Sequence, residues 1–271
     1  LVGAYNGIRA YGLQSGRFSL PKAIECRDLK EMLDHAKSAD LPDDFRIVLT
    51  GSGRVGQGAL EVLKFMKLRG VHKDDFLRMD FPDPVFVHLE VDDYNERIDG
   101  QPFDYDEFVD DATGYQSTFM PFGQRADLFI AGHFWADGSP FLFTREDMRN
   151  PAWSVKVVAD ISCDIDGPVA CTLRPSTIAD PLYGYDPGTE SECALDHPGA
   201  ITVMAVDNLP CELPRDASEG FGRELMEHVI PLLIAGDDDG ILRAASETTL
   251  SGELNAPFAY LADYAAKGAE E

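Results

Sequence analysis

The residues of this chain that are best suited to chemistry are three glycines close together in the sequence. Gly51, Gly53 and Gly56 follow the apolar run 45–50 and precede apolar residues at helical spacing over 55–68. Between a strand and a helix, glycines at these intervals permit a tight turn, a close approach of the backbone to a diphosphate, and close helix–strand packing. The first N–H groups of the helix also attract phosphate. The pattern predicts a dinucleotide-binding turn, and the alternative is a glycine-rich turn that binds nothing.

An acidic residue at the end of the second strand would support the same ligand, because it can accept hydrogen bonds from a ribose. We interpret 75–80 as a short second strand and Asp80 as that acid, somewhat further beyond Gly53 than the usual ~20 residues. A carboxylate there repels a 2′-phosphate and favours NAD, whereas Arg78 nearby keeps NADP open. The alternative for Asp80 is a turn aspartate before a Pro-containing stretch.

Arg54 and His133 each admit a functional and a structural interpretation. Arg54 begins the helix after the glycine turn, where it could lie over an adenine ring or reach a phosphate. Otherwise it faces solvent at a helix N-terminus, where a positive charge is mildly unfavourable. His133 follows the apolar run 126–132. We favour a ligand contact for Arg54 and a structural role for His133, because a single histidine is more often structural than catalytic.

Polar residues also collect at the ends of two later strands, where ligands of open α/β sheets bind. The first group is Asp160, Ser162, Asp164 and Asp166. Three acids could suggest a metal site, but the rest of a calcium-binding loop is missing, so we expect no metal and a polar strand end at the nicotinamide side. The second group is Asp207 and Asn208, before a proline-stiffened turn that could hold the nicotinamide ring or could be an ordinary helix-entry loop.

The elements that must position these residues alternate between strands and helices. We predict strands at 45–50, 75–80, 126–132, 155–162 and 201–207. We predict helices at 1–20 ending near Gly16, at 28–38 capped by Asp28, at 55–68, after Thr144, and at 213–234 with Phe221, Leu225, Val229 and Leu232 on its buried face. Near-continuously apolar strands that alternate with helices favour a parallel sheet covered on both faces. The expected fold class is α/β, a doubly wound, mostly parallel Rossmann-type sheet with an irregular insertion.

Composition excludes several classes of partner. With 48 acidic and 23 basic residues the net charge is −25, which repels nucleic acid and anionic membranes. Five cysteines without CxxC spacing argue against a disulfide framework or a zinc site, so free thiols and a cytoplasmic location are expected. No apolar run is long enough to span a membrane. We expect a small-molecule partner, and a homo-oligomer is compatible with the sequence.

The chain resembles the lysine-forming saccharopine dehydrogenases and the related lysine–2-oxoglutarate reductase domain, which are relatives of alanine dehydrogenase. The stretches that carry the resemblance extend over most of the chain. They are GAYNGIRAYGL, TGSGRVGQGA, ADLFIAGHFW, PFLFTREDM, VVADISCDIDG, STIADPLYGYDP and VDNLPCELPRDASEGFG. The resemblance implies an NAD(P)-dependent oxidoreductase that acts on the CH–NH bond of an amino acid, converting saccharopine to lysine and 2-oxoglutarate or the reverse. The alternatives are an alanine-type amino-acid dehydrogenase and a non-catalytic dinucleotide-binding domain.

The resemblance also implies roles for individual residues. Asp80 would hold the ribose, and Asp164 matches an active-site aspartate of the alanine dehydrogenase relatives. The pyrophosphate and adenosine would contact Gly51, Gly53, Arg54 and Val55. The nicotinamide end would be lined by Asp160, Ile161, Ser162, Asp207, Asn208 and Leu209.

The same resemblance implies a domain organisation. A catalytic lysine and histidine of such enzymes lie in an N-terminal domain, which we expect upstream of Leu1. Residues 1–40 would then be a helical linker, and 41–235 the dinucleotide-binding domain, with an insertion at about 81–123. Residues 236–271 would form a C-terminal helical tail that packs on the N-terminal region.

Overall fold

The computed structural model describes residues 1–136 and 138–267, and its central element is an eight-stranded sheet. The strands of the chain are β1 Arg46–Thr50, β2 Arg69–Gly70, β3 Val85–Leu89, β4 Asn95–Arg97, β5 Tyr115–Ser117, β6 Leu128–Ala131, β7 Val157–Asp160, β8 Leu182–Asp186, β9 Ser191–Cys193 and β10 Ile201–Met204. Their order in the sheet is β2-β3-β1-β6-β7-β10-β8-β9, while β4 and β5 form a separate antiparallel pair. Pairing is parallel from β2 to β10, whereas β8 pairs antiparallel with both β10 and β9.

The helices of the chain are α1 Val2–Ser15, α2 Leu29–Lys37, α3 Arg54–Phe65, α4 Lys73–Arg78, α5 Tyr105–Asp110, α6 Met120–Gly123, α7 Arg145–Arg149, α8 Pro214–Glu224, α9 Ile230–Ala235, α10 Ile241–Ala245 and α11 Ala262–Lys267. Helices α1 to α7 belong to the same compact unit as this sheet, and those of them that supply buried side chains cover both of its faces. Short 3₁₀ turns lie at Ala23–Glu25, Val91–Asp93, Ala112–Gly114, Leu209–Glu212 and Ala256–Leu261, and a π-helical turn at Leu225–Val229.

Alternation along the strands divides the interior into two cores. In β1, Ile47 and Leu49 face the core formed with α1, α2 and α3, whereas Val48 faces the core that contains Phe76 of α4 and Phe122 of α6. A strand that is buried on both sides therefore has apolar side chains on both faces, as at Ile47, Val48 and Leu49. The predicted fold class, a doubly wound and mostly parallel Rossmann-like α/β sheet, is confirmed.

Several short-range predictions are confirmed, because the signals that made them act over a few residues. The Asp28 carboxylate accepts a hydrogen bond from the Glu31 N–H at 2.9 Å and caps α2. Thr144 caps α7 in the same way and forms a capping box with Asp147. Gly16 ends α1 in the left-handed conformation, with φ of 67°.

The prediction of a second strand over 75–80 is wrong. Residues 75–78 belong to helix α4, which His72 caps and which buries Phe76, and the chain leaves the helix at Met79. Acidic residues in its first turn and Arg78 in its last suit the helix dipole, and so short an apolar pattern fits either structure. The strand beside β1 is instead β3, which lies inside the region interpreted as an insertion at 81–123. The strands β8 and β9 were not predicted from the sequence.

Contacts between Cα atoms divide the chain into two compact units, Leu1–Pro214 and Arg215–Glu271. The buried face predicted for the helix at 213–234 is not observed: Phe221 is 66% exposed, and Leu225, Val229 and Leu232 are half-buried. Apolar spacing predicts which side chains share a face, but not whether another element covers them. The predicted boundaries at 40 and 235, and the packing of the tail, stay predictions. Over the described residues, no helix combines the length and the apolar character that a membrane crossing needs.

Candidate functional site

The glycine turn between β1 and α3 is held against the end of β6. Gly51 has φ of 98°, and a β-carbon on it would lie 2.2 Å from the carbonyl oxygen of Gly132. A β-carbon on Gly56 would lie 1.7 Å from the carbonyl oxygen of Gly51. Any side chain at either position would collide with backbone. The turn is therefore as tight, and the helix as close to it, as the spacing of the glycines predicts.

Gly53, in contrast, has open space beside it. It is the N-cap of α3, with φ of −72°, and no heavy atom lies within 4 Å of the position its β-carbon would take. The space beside the first turn of α3 is open, so a diphosphate fits against this backbone without displacing a side chain. Arg54 and Val55 begin the helix and are exposed. Within the described ranges, Arg54 makes no ion pair, which leaves its guanidinium available to an anion.

Two histidines, one on β3 and one just after β6, contact the residues at the start of this turn. His88 of β3 donates from Nε2 to the carbonyl oxygen of Gly51 at 2.7 Å. On the other side, Nδ1 of His133 lies 2.7 Å from Oγ1 of Thr50. Both strands pair with β1, so the turn is fixed from its two flanks. Sequence reasoning passed over His88 because it lies in the undetected strand β3.

At the end of β7, the side chain of Asp160 is fully buried and already bonded. Its carboxylate accepts hydrogen bonds from Ser162 Oγ at 2.6 Å, from the Cys163 N–H at 3.0 Å and from Thr172 Oγ1 at 2.6 Å. Burial raises the pKa of this carboxyl, and the three donors oppose the rise. Ile161 lies against Gly3 of α1. A ligand at this strand end would therefore meet the backbone of 160–162 rather than the Asp160 carboxylate.

Asp164 lies in the turn that follows. It is half-buried, and its carbonyl oxygen accepts a hydrogen bond from the Gly167 N–H at 3.1 Å. Asp166 is exposed and lies 3.7 Å from Arg145. In the part of the chain that the structure describes, no group of three histidine, cysteine or acidic side chains is placed to hold a metal ion.

Asp207, Asn208 and Leu209 follow β10, beside the residues that follow β7. Met204 pairs with Ala159, so the two strand ends are adjacent. Asp207 and Asn208 are exposed, and Leu209 begins the 3₁₀ turn that leads to Glu212. From β1 through β6 and β7 to β10 the sheet advances three strand spacings, roughly 14 Å. The predicted contact residues, apart from Asp80, thus lie at the ends of three strands, β1, β7 and β10, along one edge of the sheet.

The assignment of Asp80 to this edge is wrong. Asp80 follows α4 and accepts hydrogen bonds at Oδ1 from Arg46 and Arg125, both at 2.9 Å. Arg46 is the first residue of β1, whereas the glycine turn follows Thr50, the last residue of that strand. Asp80 therefore lies at the end of β1 that is opposite to the glycine turn. The acid that follows the strand beside β1 is Glu90, which is exposed. Sequence reasoning missed it because β3 itself was not recognised.

Two adjoining clefts lie at the amino-terminal edge of the sheet, away from the glycine turn. Their volumes are about 820 Å³ and 600 Å³, and both are lined by Gln124, Ser154 and Lys156. The cations of the smaller cleft already have carboxylate partners, since Arg46 and Arg125 bind Asp80 and Lys156 binds Asp127. Volume alone does not make these clefts the better candidate, because the chemistry lies at the other edge.

Comparison with curated proteins confirms the resemblance that the sequence indicated. Alpha-aminoadipic semialdehyde synthase, mitochondrial, of Mus musculus is 26% identical over 216 residues, which is 69% of this chain. Saccharopine dehydrogenase (NAD(+), L-lysine-forming) of Schizosaccharomyces pombe is 27% identical over 194 residues, which is 71% of this chain. The corresponding enzyme of Neurospora crassa is 25% identical over 186 residues. No protein-family model matches the chain.

The chain spans only part of the length of these relatives. The match covers 23% of the mouse protein and 42% of the fission-yeast enzyme. The relatives are oxidoreductases of saccharopine metabolism.

Proposed function

We propose that this chain binds a nicotinamide dinucleotide and forms the cofactor-binding part of an oxidoreductase that acts on the CH–NH bond of saccharopine or a closely similar amino acid. The observation that carries the proposal is the contrast within the glycine turn. Gly51 and Gly56 have no space for a side chain, whereas Gly53 opens onto unfilled space at the start of α3. This is the arrangement that a diphosphate requires.

The residues of the chain would bind and orient the ligand. The backbone N–H groups at 53–55 would hold the diphosphate, and Arg54 would supply the positive charge that so acidic a chain otherwise lacks there. Glu90 would accept hydrogen bonds from the adenosine ribose, which favours NAD over NADP. The backbone at 160–162 and at 207–209 would line the nicotinamide end.

The bound cofactor supplies hydride transfer to or from the carbon that carries the secondary amine. Orientation is then the main contribution of the sheet, since it fixes the reacting atoms relative to each other. Asp164, in the turn after β7, is the residue of this chain that we assign to the substrate side. A cytoplasmic location and association as a homo-oligomer belong to this proposal as expectations.

Titration of the chain with NADH and NADPH, followed by nucleotide fluorescence and calorimetry, tests the proposal. Gly53→Asp is the informative variant, because its side chain enters open space at an N-cap, where aspartate suits the helix. Repulsion between like charges about 4 Å apart amounts to ~1–4 kcal/mol, so we expect at least roughly tenfold weaker binding with the fold intact. Gly53→Asn adds a side chain of the same size without the charge, so it shows how much of the loss is steric. Gln124→Glu adds the same negative charge at the other edge of the sheet, so it controls for the change in net charge.

The outcomes are distinct. Failure of the unmodified chain to bind either nucleotide would contradict the proposal. Equal loss of affinity in Gly53→Asp and Gln124→Glu would show that overall charge, and not the glycine turn, governs binding. Turnover requires assays with the full-length protein, in which activity with pyruvate and ammonia but not with saccharopine would favour an alanine-type dehydrogenase.

A further inference from the structure

The histidine after β6 is buried beside the glycine turn and has one ring nitrogen without a partner. His133 is 6% exposed, and its Nδ1 lies 2.7 Å from Thr50 Oγ1. Among the residues described, nothing forms a hydrogen bond with its buried Nε2. Native proteins pair the large majority of their buried polar groups, so this nitrogen needs an explanation.

The contact with Thr50 determines which nitrogen carries the proton. If Nδ1 carried it, the threonine hydroxyl would accept, and both the hydroxyl proton and Nε2 would have no partner in the described structure. If Nε2 carries it, the hydroxyl donates to Nδ1, and only the Nε2–H is left without a partner. One unpaired buried group costs less than two, so the second tautomer is favoured.

The ring is neutral and close to the turn. Burial lowers the pKa of His133 to about 4, so at neutral pH Nε2 presents a single N–H donor rather than a charge. The backbone nitrogen of His133 would lie 2.7 Å from a β-carbon on Gly51, which places this residue directly against the glycine turn. The ring of Tyr94 lies 6.0 Å from the imidazole between their centroids.

We propose that His133 is a ligand-binding residue, whose Nε2–H donates a hydrogen bond to a phosphate or ribose oxygen of the dinucleotide. This inference rests on the proposed function, because it requires a ligand at the glycine turn. Phosphate and hydroxyl oxygens are the acceptors that such a ligand carries in quantity. A neutral donor binds them without bringing a second charge into a buried place.

Imidazole NMR of the ¹⁵N-labelled chain tests the inference without any substitution. At pH 7 we expect His133 to show the tautomer protonated at Nε2, and we expect that resonance to shift on saturation with NADH. His133→Phe assigns the signal, removes the donor and should weaken NADH binding roughly tenfold to a hundredfold. His133→Gln, which keeps an N–H donor, should bind NADH more tightly than His133→Phe, and His197→Gln, at an exposed position, should leave affinity unchanged.

Each result decides the question. An Nε2–H resonance that stays unchanged while the chain is saturated with NADH overturns the inference and points to an internal water as the partner of His133. Binding by His133→Phe that equals the unmodified chain overturns it as well. Absence of NADH and NADPH binding by the unmodified chain overturns the proposed function and this inference together.

Discussion

Gly56 and the carbonyl oxygen of Gly51 are so close that a single added β-carbon would lie 1.7 Å from that oxygen. Contacts below 3 Å to backbone cannot be relieved by a side-chain rotation, so one of the two segments must move. The turn therefore depends on the absence of a methyl group at Gly56.

The first prediction concerns the stability of this turn. Gly56→Ala should lower the free energy of unfolding by roughly 1–3 kcal/mol, as for other overpacked positions. Gly53→Ser is the matched control, because it adds a β-carbon to the same turn where no atom lies within 4 Å. Denaturant unfolding followed by tryptophan fluorescence is the measurement, since Trp135 and Trp153 both lie in the first unit. Equal stability of the two variants would contradict the geometry described.

The second prediction concerns selectivity between the two cofactors. Glu90→Gln should weaken NADH binding, because the carboxylate that would accept from the ribose is lost. The ratio of NADPH affinity to NADH affinity should rise by about tenfold, because one negative charge that repels the 2′-phosphate is removed. Asp80→Asn removes the same charge at the opposite edge and should leave the ratio unchanged. Dissociation constants of both variants for NADH and NADPH, measured at one ionic strength, show which of the two acids lies near the ribose. A change in the ratio with Asp80→Asn alone would restore the assignment that the fold argues against.

The third prediction concerns a buried acid with a single donor. Glu212 is 2% exposed and accepts one hydrogen bond, from Asn6 Nδ2 at 2.7 Å. Burial raises its pKa above the ordinary 4.5. The folded state therefore holds this proton more tightly, so the contribution to stability is full below pH 4.5 and declines as the pH rises through the folded-state pKa.

Glu212→Gln should remove that decline, because the amide oxygen can still accept from Asn6 and carries no charge. We expect the variant to gain stability relative to the unmodified chain as the pH rises from 4 to 8. Urea unfolding across this range measures the difference between the two proteins. A constant difference at every pH would mean that Glu212 titrates alike in the folded and unfolded chains.

The fourth prediction has the opposite sign, because Asp160 has three donors rather than one. Asp160→Asn replaces an acceptor oxygen with an amide and leaves one of these buried donors without a partner, so we expect a loss of roughly 1–3 kcal/mol in the free energy of unfolding. Asp207→Asn, an exposed acid after the adjacent strand, should change it by less than about 0.5 kcal/mol. An Asp160→Asn variant as stable as Asp207→Asn would show that the three donors find other acceptors.

The sequence predicted those features whose causes are local. The Asp28 cap, the Thr144 capping box and the glycine turn each depend on residues within a few positions of one another. The apolar runs that became β1, β6, β7 and β10 were equally clear, because a strand buried on both faces is mostly apolar.

The ribose acid was misplaced because its position depends on the order of strands, not on distance along the chain. Residues 75–80 have a spacing that suits a short helix as well as a strand, and β3 follows a Pro-containing stretch that looked like the start of an insertion. The partners of Thr50 and Gly51 were hidden for a similar reason, because His133 and His88 reach them across the sheet. The two residues of each contact are far apart in the sequence, so no local pattern could predict either contact.

The arrangement of the strand ends links ligand binding to the completeness of the sheet. The candidate contacts follow β3, β1, β6, β7 and β10, so residues as far apart in the chain as 51 and 209 come together only when all five strands are paired. A partly assembled sheet offers a dinucleotide only isolated fragments of this surface. Under the proposed function, NADH would bind the finished sheet and not its separate parts, and a nucleotide at a hundred times its Kd would shift the folding equilibrium by about 2.7 kcal/mol toward the folded state. The cofactor would thus act as the last component of the tertiary structure as well as a reagent.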